Sequence, residues 1–147
     1  MKKIIATILA AIALFFTTSC KADRDHIITV NQLPAAARTF LQDYFSDQNV
    51  SFVKKDIELG KTSYEVRLED GTEIDFNSKG EWDKVDRDTI AVPSALIPQA
   101  IAAYVSANFP SQIIVMIDKE NYGHEIELGN SLELKFNKKG ELIRVDD

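Results

Sequence analysis

The chain is poor in the residues on which most small enzymes and metal proteins are built. It has one cysteine, two histidines and one tryptophan in 147 residues. A single cysteine excludes a disulfide-stapled scaffold and a Cys-rich zinc site. Two histidines, His26 and His124, leave little material for a catalytic triad or a His-rich metal centre. No H-E-x-x-H, no G-x-S-x-G and no phosphate-cradling glycine loop occurs. Positive charge is scarce too. Against 23 Asp and Glu there are 17 Lys and Arg, a net −6, which argues against a nucleic-acid partner held by its phosphates. What is present is a globular composition, 45% hydrophobic and 27% charged, long enough for one ordinary domain or two very small ones.

The N-terminus reads as an export signal. Met1-Lys2-Lys3 is basic, Ile4 to Phe16 is apolar apart from Thr7, and Lys21 to Asp25 is abruptly polar. The apolar run is shorter than the roughly 20 residues that span a bilayer. Residues 1–19 are therefore expected to be removed. Cys20 stands where the signal ends, and the segment resembles the lipobox of bacterial lipoproteins, in which that cysteine is lipidated and anchors the mature protein to a membrane. Thr17 departs from the aliphatic residue preferred there. Loss of residues 1–19 takes away Lys2 and Lys3 and leaves 15 basic against 23 acidic side chains, a net −8. Residues 20–29 read as a tether, with His26 solvated. The expected location is periplasmic or anchored to the outer membrane, with the acidic residues after Cys20 faintly resembling a surface-export tag.

The rest of the sequence reads as one unit written twice. Tyr64–Asp86 and His124–Asp146 align at an offset of 60 with ten of 23 positions identical, among them Glu65/Glu125, Phe76/Phe136, Asn77/Asn137 and Gly80/Gly140. Upstream the offset is 64, where Pro34, Ala36, Phe45 and Lys55 meet Pro98, Ala100, Phe109 and Lys119. Each unit opens on a helical stripe. Leu33, Ala37, Phe40, Leu41, Tyr44 and Phe45 make the first, and Ile97, Ile101, Tyr104, Val105 and Phe109 the second. Asn31 and Ser94 are candidate N-caps. Strands follow, with Tyr64, Val66 and Leu68, then Ile74 and Phe76, on one face. A three-residue loop at Glu69-Asp70-Gly71 pairs Val66 with Ile74, whereas a two-residue Asp-Gly loop would set Leu68 against Glu73. The last strands, from Trp82 and Leu142, break parity at Val85 and Val145, which a bulge or an edge position would explain. The expected fold is α+β: two helix–strand–strand–strand units, residues 30–86 and 94–147, joined by a linker at 87–93. Their strands form one continuous antiparallel sheet of about six, with both helices on one face.

"LPAAARTFLQDYF" (Leu33–Phe45), "YEVRLEDGTEIDFNSKGEWDKVD" (Tyr64–Asp86) and their second copies carry a resemblance to the PepSY-like family of small exported bacterial proteins. The fold of that family is likened to the β-lactamase inhibitory proteins. The resemblance implies an extracytoplasmic, non-enzymatic module. Related PepSY domains are thought to restrain peptidases, and the inhibitory proteins hold their target on the open sheet face. The cysteine pairs of those inhibitors are missing here, so β-lactamase inhibition does not carry over.

The candidate chemistry lies on the sheet face away from the helices. Parity places Glu65, Arg67, Glu69, Glu73, Asp75, Glu125, Glu127, Glu133 and Lys135 there. Such a face is either a docking surface for a basic protein, peptide or cation, or a solvated face that keeps the protein soluble. Phe52 and Met116 share its parity and are anchors for a partner if exposed, or core if the strand is covered or bulged. Paired carboxylates suggest glycosidase chemistry only where one is buried. These look exposed, so no catalytic residue, metal ligand or cofactor is expected. Asp83, Asp86, Asp88, Asp146 and Asp147 lack EF-hand spacing. His124 and Trp82 read as core packing. The expected function is a non-enzymatic lipoprotein that binds an envelope protein or peptide through this open acidic face, as an inhibitor or modulator of an envelope enzyme; the alternative is a periplasmic cation or small-ligand binder.

Overall fold

The computed structural model describes residues 26–147. The expected signal peptide, residues 1–19, and Cys20 lie outside the described residues. Within them the chain forms β1 (His26–Ile28), α1 (Ala35–Phe45), β2 (Val50–Glu58), β3 (Lys61–Leu68), β4 (Glu73–Asn77) and β5 (Trp82–Asp86). It continues as α2 (Gln99–Asn108), β6 (Ile114–Glu120), β7 (Gly123–Leu128), β8 (Glu133–Asn137) and β9 (Leu142–Asp146). The nine described strands make one antiparallel sheet in strictly sequential order, β1 to β9.

The expectation of about six strands is corrected in two places. Each half carries four strands after its helix, because the segments from Trp82 and Leu142 are full members of the sheet. The expected tether also contains a strand. His26–Ile28 pairs with β2, His26 opposite Lys55 and Ile28 opposite Val53. Asn31 and Ser94 are not caps of the main helices either. Each lies in a short 3-10 turn, Val30–Gln32 or Ser94–Leu96, and α1 and α2 begin directly after Pro34 and Pro98. A proline has no N–H to leave unpaired at that point.

Register explains the core. Ile28, Val53, Val66, Ile74, Val85, Ile117, Ile126, Leu134 and Val145 stand opposite one another in turn across all nine strands. Directly paired residues share a face, so they form one apolar band. Phe76 and Phe136, two residues beyond Ile74 and Leu134, extend it and are fully buried. Phe40 of α1 packs edge-on against Phe76 at 5.5 Å, and Tyr104 of α2 does the same to Phe136 at 5.5 Å. Both helices therefore cover the same face.

The hairpin loops follow the parity argument. Val66 faces Ile74, and Ile126 faces Leu134. Leu68 N donates to Thr72 O and Leu128 N to Leu132 O, closing three-residue loops. Gly71 holds the left-handed position of the first, with φ 90°, but Ser131 holds it in the second, with φ 66°. A side chain is strained there. Ser131→Gly is expected to raise stability by about 0.5–1 kcal/mol, read as a melting temperature a few degrees higher.

The break in parity at Val85 and Val145 is a bulge. Register shifts between Asp75 and Phe76, and again between Lys135 and Phe136, so that Trp82 and Leu142 still meet the phenylalanines. The β4–β5 and β8–β9 turns share a further device. Asn77 Oδ1 accepts from the N–H groups of Lys79 and Glu81, and Asn77 Nδ2 donates to Glu81. Asn137 repeats all three bonds with Lys139 and Glu141.

The halves meet at β5 and β6, through Lys84↔Asp118, Val85↔Ile117 and Asp86↔Met116. Arg87 secures the passage out of β5. Its guanidinium donates to Asp70, to the hydroxyl of the fully buried Thr72 and to Ala91 O, and lies 5.5 Å from the centre of the Phe45 ring. Burial pushes the Asp70 carboxyl up. Hydrogen bonds from Thr72 and Arg87 outweigh that and hold it below its usual value.

Candidate functional site

With both helices on one side, the other side of the sheet is open. Two rows of side chains cross it. The first runs Lys54, Glu65, Asp75, Lys84, Asp118, Glu125, Lys135, Arg144, each opposite the next. Acids and bases balance in this row, and its bases also reach acids of the neighbouring row, Lys84 to Asp86 and Arg144 to Asp146. Lys135 Nζ lies 3.1 Å from Glu125 and 3.4 Å from Asp146. The second row runs Phe52, Arg67, Glu73, Asp86, Met116, Glu127, Glu133, Asp146. It holds one base against five acids. Arg67 is bonded to Glu73 and reaches towards Glu65. Glu127 and Glu133 stand directly opposite each other across β7 and β8, and neither has an ion pair within the described residues.

Eight of the nine charged residues expected on this face stand in its two rows, as do Phe52 and Met116, but they are not equivalent. Arg67 is shared by Glu65 and Glu73 and offsets one of their two charges, while Lys135 pairs with Glu125. Glu69 lies beyond β3 and accepts from Asn49 Nδ2 at 3.1 Å. Met116 answers the open alternative against exposure, since only 7% of it is accessible. It is not a projecting anchor. A register shift between Ile114 and Met116 bulges β6, and the linker bonds to that strand through Arg87 N to Val115 O and Val92 N to Ile114 O. Phe52, at the matching bulge of β2, is half-buried. Composition and parity missed Asp86, Asp118 and Asp146 as members of the face. Their places depend on which strand lies beside which, and that is not written locally.

The surplus of acid shows in the protonation equilibria. Burial, reinforced by Glu73, pushes the Asp75 carboxyl up to about 6. Burial and then Glu120 raise Asp118, and burial followed by Asp86 and Glu133 raises Glu127. Asp75 and Asp118 line a shallow cleft of about 340 Å³ together with Asp56, Glu65, Lys54 and Lys84. Asp56 turns Oδ1 away from solvent there with no hydrogen-bond partner. No group of three or more His, Cys, Asp or Glu side chains among the described residues is arranged to hold a metal ion. His124 is half-buried opposite Phe136, its pKa lowered by burial and by Lys119. Trp82 packs on Phe40, with Lys119 Nζ 3.5 Å from its ring centre.

A raised Asp75 pKa makes its ionised form a cost to folding at neutral pH. The cost is present above about 6 and disappears as pH falls towards the unfolded value of 3.8. Asp75→Asn is therefore expected to stabilise the protein at pH 7 by about 1 kcal/mol once solvent screening is allowed for. The advantage should vanish near pH 4, which thermal melts at the two pH values will show.

Comparison with known proteins agrees with this architecture. The profile of a family described as "Putative beta-lactamase-inhibitor-like, PepSY-like" matches residues 62–144. The chain belongs to the PepSY-like family. Three solved structures are similar to this PepSY-like protein over nearly their whole length. One, from Bacteroides vulgatus, is described as a "putative periplasmic protein from DUF2874 family"; it is 36% identical, with a TM-score of 0.82 over 86% of this chain and 99% of its own. A second from that organism, a "putative periplasmic protein of unknown function", is 41% identical, with a TM-score of 0.81 over 84% and 99%. The third, from Bacteroides thetaiotaomicron, is described as a "putative calcium-regulated periplasmic protein"; it is 37% identical, with a TM-score of 0.81 over 84% and 97%. No curated protein matches the chain. No helix among the described residues is long and apolar enough to cross a membrane.

Proposed function

We propose that this chain is a non-catalytic binding module, exported and held on a membrane by lipid on Cys20, whose open sheet face receives a basic segment of another envelope protein or peptide. The two halves are read as copies of one unit whose faces have diverged. The carrying observation is the opposition of Glu127 and Glu133. Like charges directly across a ladder destabilise a sheet, and the corresponding pair in the first half, Arg67 and Glu73, is complementary. A lysine or arginine from a partner would supply the missing cation, with Asp86 and Asp146 in the same row to widen the contact. The periplasmic descriptions of the similar structures support export.

Envelope proteins retained by the wild type should be lost from a Glu127→Lys, Glu133→Lys double variant. The same variant should melt no lower than wild type. Retention of the same proteins by a folded double variant would reject the acidic row as the docking surface.

A second reading, a divalent-cation binder, is favoured by the calcium-regulated description of one similar structure and by the unpartnered Asp56 oxygen beside Asp75 and Asp118. Lys54 and Lys84 in the same cleft weigh against a bare ion. Calorimetry with calcium that gives no heat and no rise in melting temperature removes this reading.

A further inference from the structure

The two ends of the sheet are finished differently. β1, which ends one side, offers only three residues on its uncovered edge, and β9, which ends the other, offers five on its own. That open edge has a counterpart inside the molecule. β9 pairs with β8 as β5 pairs with β4: Glu133↔Asp146 with Glu73↔Asp86, Leu134↔Val145 with Ile74↔Val85, and Lys135↔Arg144 with Asp75↔Lys84. β5 passes its free edge to β6, and Val85 is 0% exposed. Val145, at the same place without a neighbour, is 43% exposed, and Ile143 is 55% exposed. An unpaired edge offers its N–H and C=O groups to a further strand.

Geometry and charge select the strand. Hydrogen bonding in antiparallel sheets alternates between the two edges of a strand from one residue to the next. Arg87 N donates to Val115 O across β5 and β6, so Val85, two residues earlier, bonds towards the same edge. The matching geometry on β9 directs Val145 N–H and C=O outwards. Two β9 strands set antiparallel about a two-fold axis at Val145 therefore exchange both bonds of that pair. Val145 meets Val145 on the helix-bearing face, and Arg144 meets Asp146 twice on the open face. Centring on Arg144 would set Arg144 against itself and Leu142 against Asp146. Centring on Asp146 would set acid against acid. A one-residue slip would put apolar side chains opposite charged ones.

The charges of β9 suit this partner better than they suit β8. Across β8 and β9, Arg144 stands opposite Lys135 and Asp146 opposite Glu133. Asp146 draws Arg144 and Lys135 to itself within the chain, at 2.6 and 3.4 Å. A second copy brings a further Arg144 to the same carboxylate. The internal junction between β5 and β6 uses the same chemistry, with Lys84 against Asp118 and Val85 against Ile117.

We infer that this chain forms a two-fold dimer through β9, the two sheets joined edge to edge at Val145. Such an interface is isologous, so it closes at two copies. The inference does not rest on the proposed function and leaves Glu127 and Glu133 of each copy uncovered, although Asp146, at the end of their row, is engaged at the axis. With few residue pairs the dissociation constant should be on the order of 100 µM.

Sedimentation equilibrium on the chain from residue 20 onward, which contains every described element, tests it between about 10 µM and about 1 mM. The expected result is a monomer passing to a dimer over that range. Arg144→Asp sets acid against Asp146 twice and should weaken the dimer at least about tenfold. Adding Asp146→Arg to it should restore association, because the swapped charges again meet across the axis. Should Arg144→Asp fail to fold in a thermal melt, Val145→Lys carries the same expectation by placing two ammonium groups at the axis. A monomer at every concentration, growth beyond the dimer, or a dimer indifferent to these changes overturns the inference.

Discussion

Phe76→Ala is expected to cost about 3–5 kcal/mol, the usual range for emptying a buried aromatic site. Phe76 is fully buried between Tyr64 and Trp82 on the sheet and the Phe40 ring 5.5 Å away on α1. Its removal leaves a void that neither a regular helix nor a hydrogen-bonded ladder can close. Against a total stability of about 5–15 kcal/mol, much of the protein's margin is lost. The melting temperature should fall by about 10–20 °C, while Phe76→Leu, which refills most of the volume, should cost less than about 1.5 kcal/mol. The apolar band runs unbroken from Val85 to Ile117, so the melt should remain a single transition. Calorimetry showing two separate transitions, or a melting temperature unchanged by Phe76→Ala, would contradict this account of the core.

Gly80→Ala is the second change of large expected effect. Gly80 turns the chain between β4 and β5 at φ +82°, a conformation that side chains rarely adopt. Space is lacking as well. A Cβ there would lie 2.7 Å from Pro34 Cβ and 2.9 Å from the backbone nitrogen of Ala37. The turn is pressed against the start of α1, so the helix would have to lift. Backbone strain of about 1–2 kcal/mol and overpacking of about 1–3 kcal/mol act together. A loss of about 2–5 kcal/mol is expected in denaturant titrations. Gly60, at φ +79° with nothing within 4 Å, provides the comparison. Gly60→Ala should show the backbone cost alone, about 1–2 kcal/mol. Equal losses at both positions would mean that helix contact at Gly80 is of no consequence.

Much of this architecture was legible from short-range pattern. The three-residue loops could be read because one register buries Val66 with Ile74 and the other sets Leu68 against Glu73. Phe40, Ala37 and Ile101 announced the buried helix faces by spacing alone. What was not legible depended on neighbours distant in sequence. His26–Ile28 is only three residues long and mostly exposed, so its strand character comes from β2 beside it. The extra residue at Asp83 makes sense only once Val85 must face Ile117 and Trp82 must face Phe40. Arg87 looked like a linker residue, and its partners Asp70, Thr72 and Phe45 come from two other parts of the chain. The candidate face shows the same division. Strand parity placed Glu127 and Glu133 on it, but their direct opposition required the register. Met116 had the parity of an exposed anchor, and a bulge together with the neighbouring linker removed it from solvent.

The strictly consecutive strand order has a kinetic consequence. Each hairpin can close over a short turn without waiting for a remote part of the chain, and every ladder made presents an edge to the next strand. Two long excursions interrupt the series, residues 29–49 between β1 and β2 and residues 87–113 between β5 and β6, and they carry α1 and α2 along with them. Closing short loops costs little chain entropy, and topologies rich in local pairing reach the native state quickly. Refolding on the order of milliseconds is the consequence for a sheet of this kind, with the crossing from β5 to β6 as its slowest step.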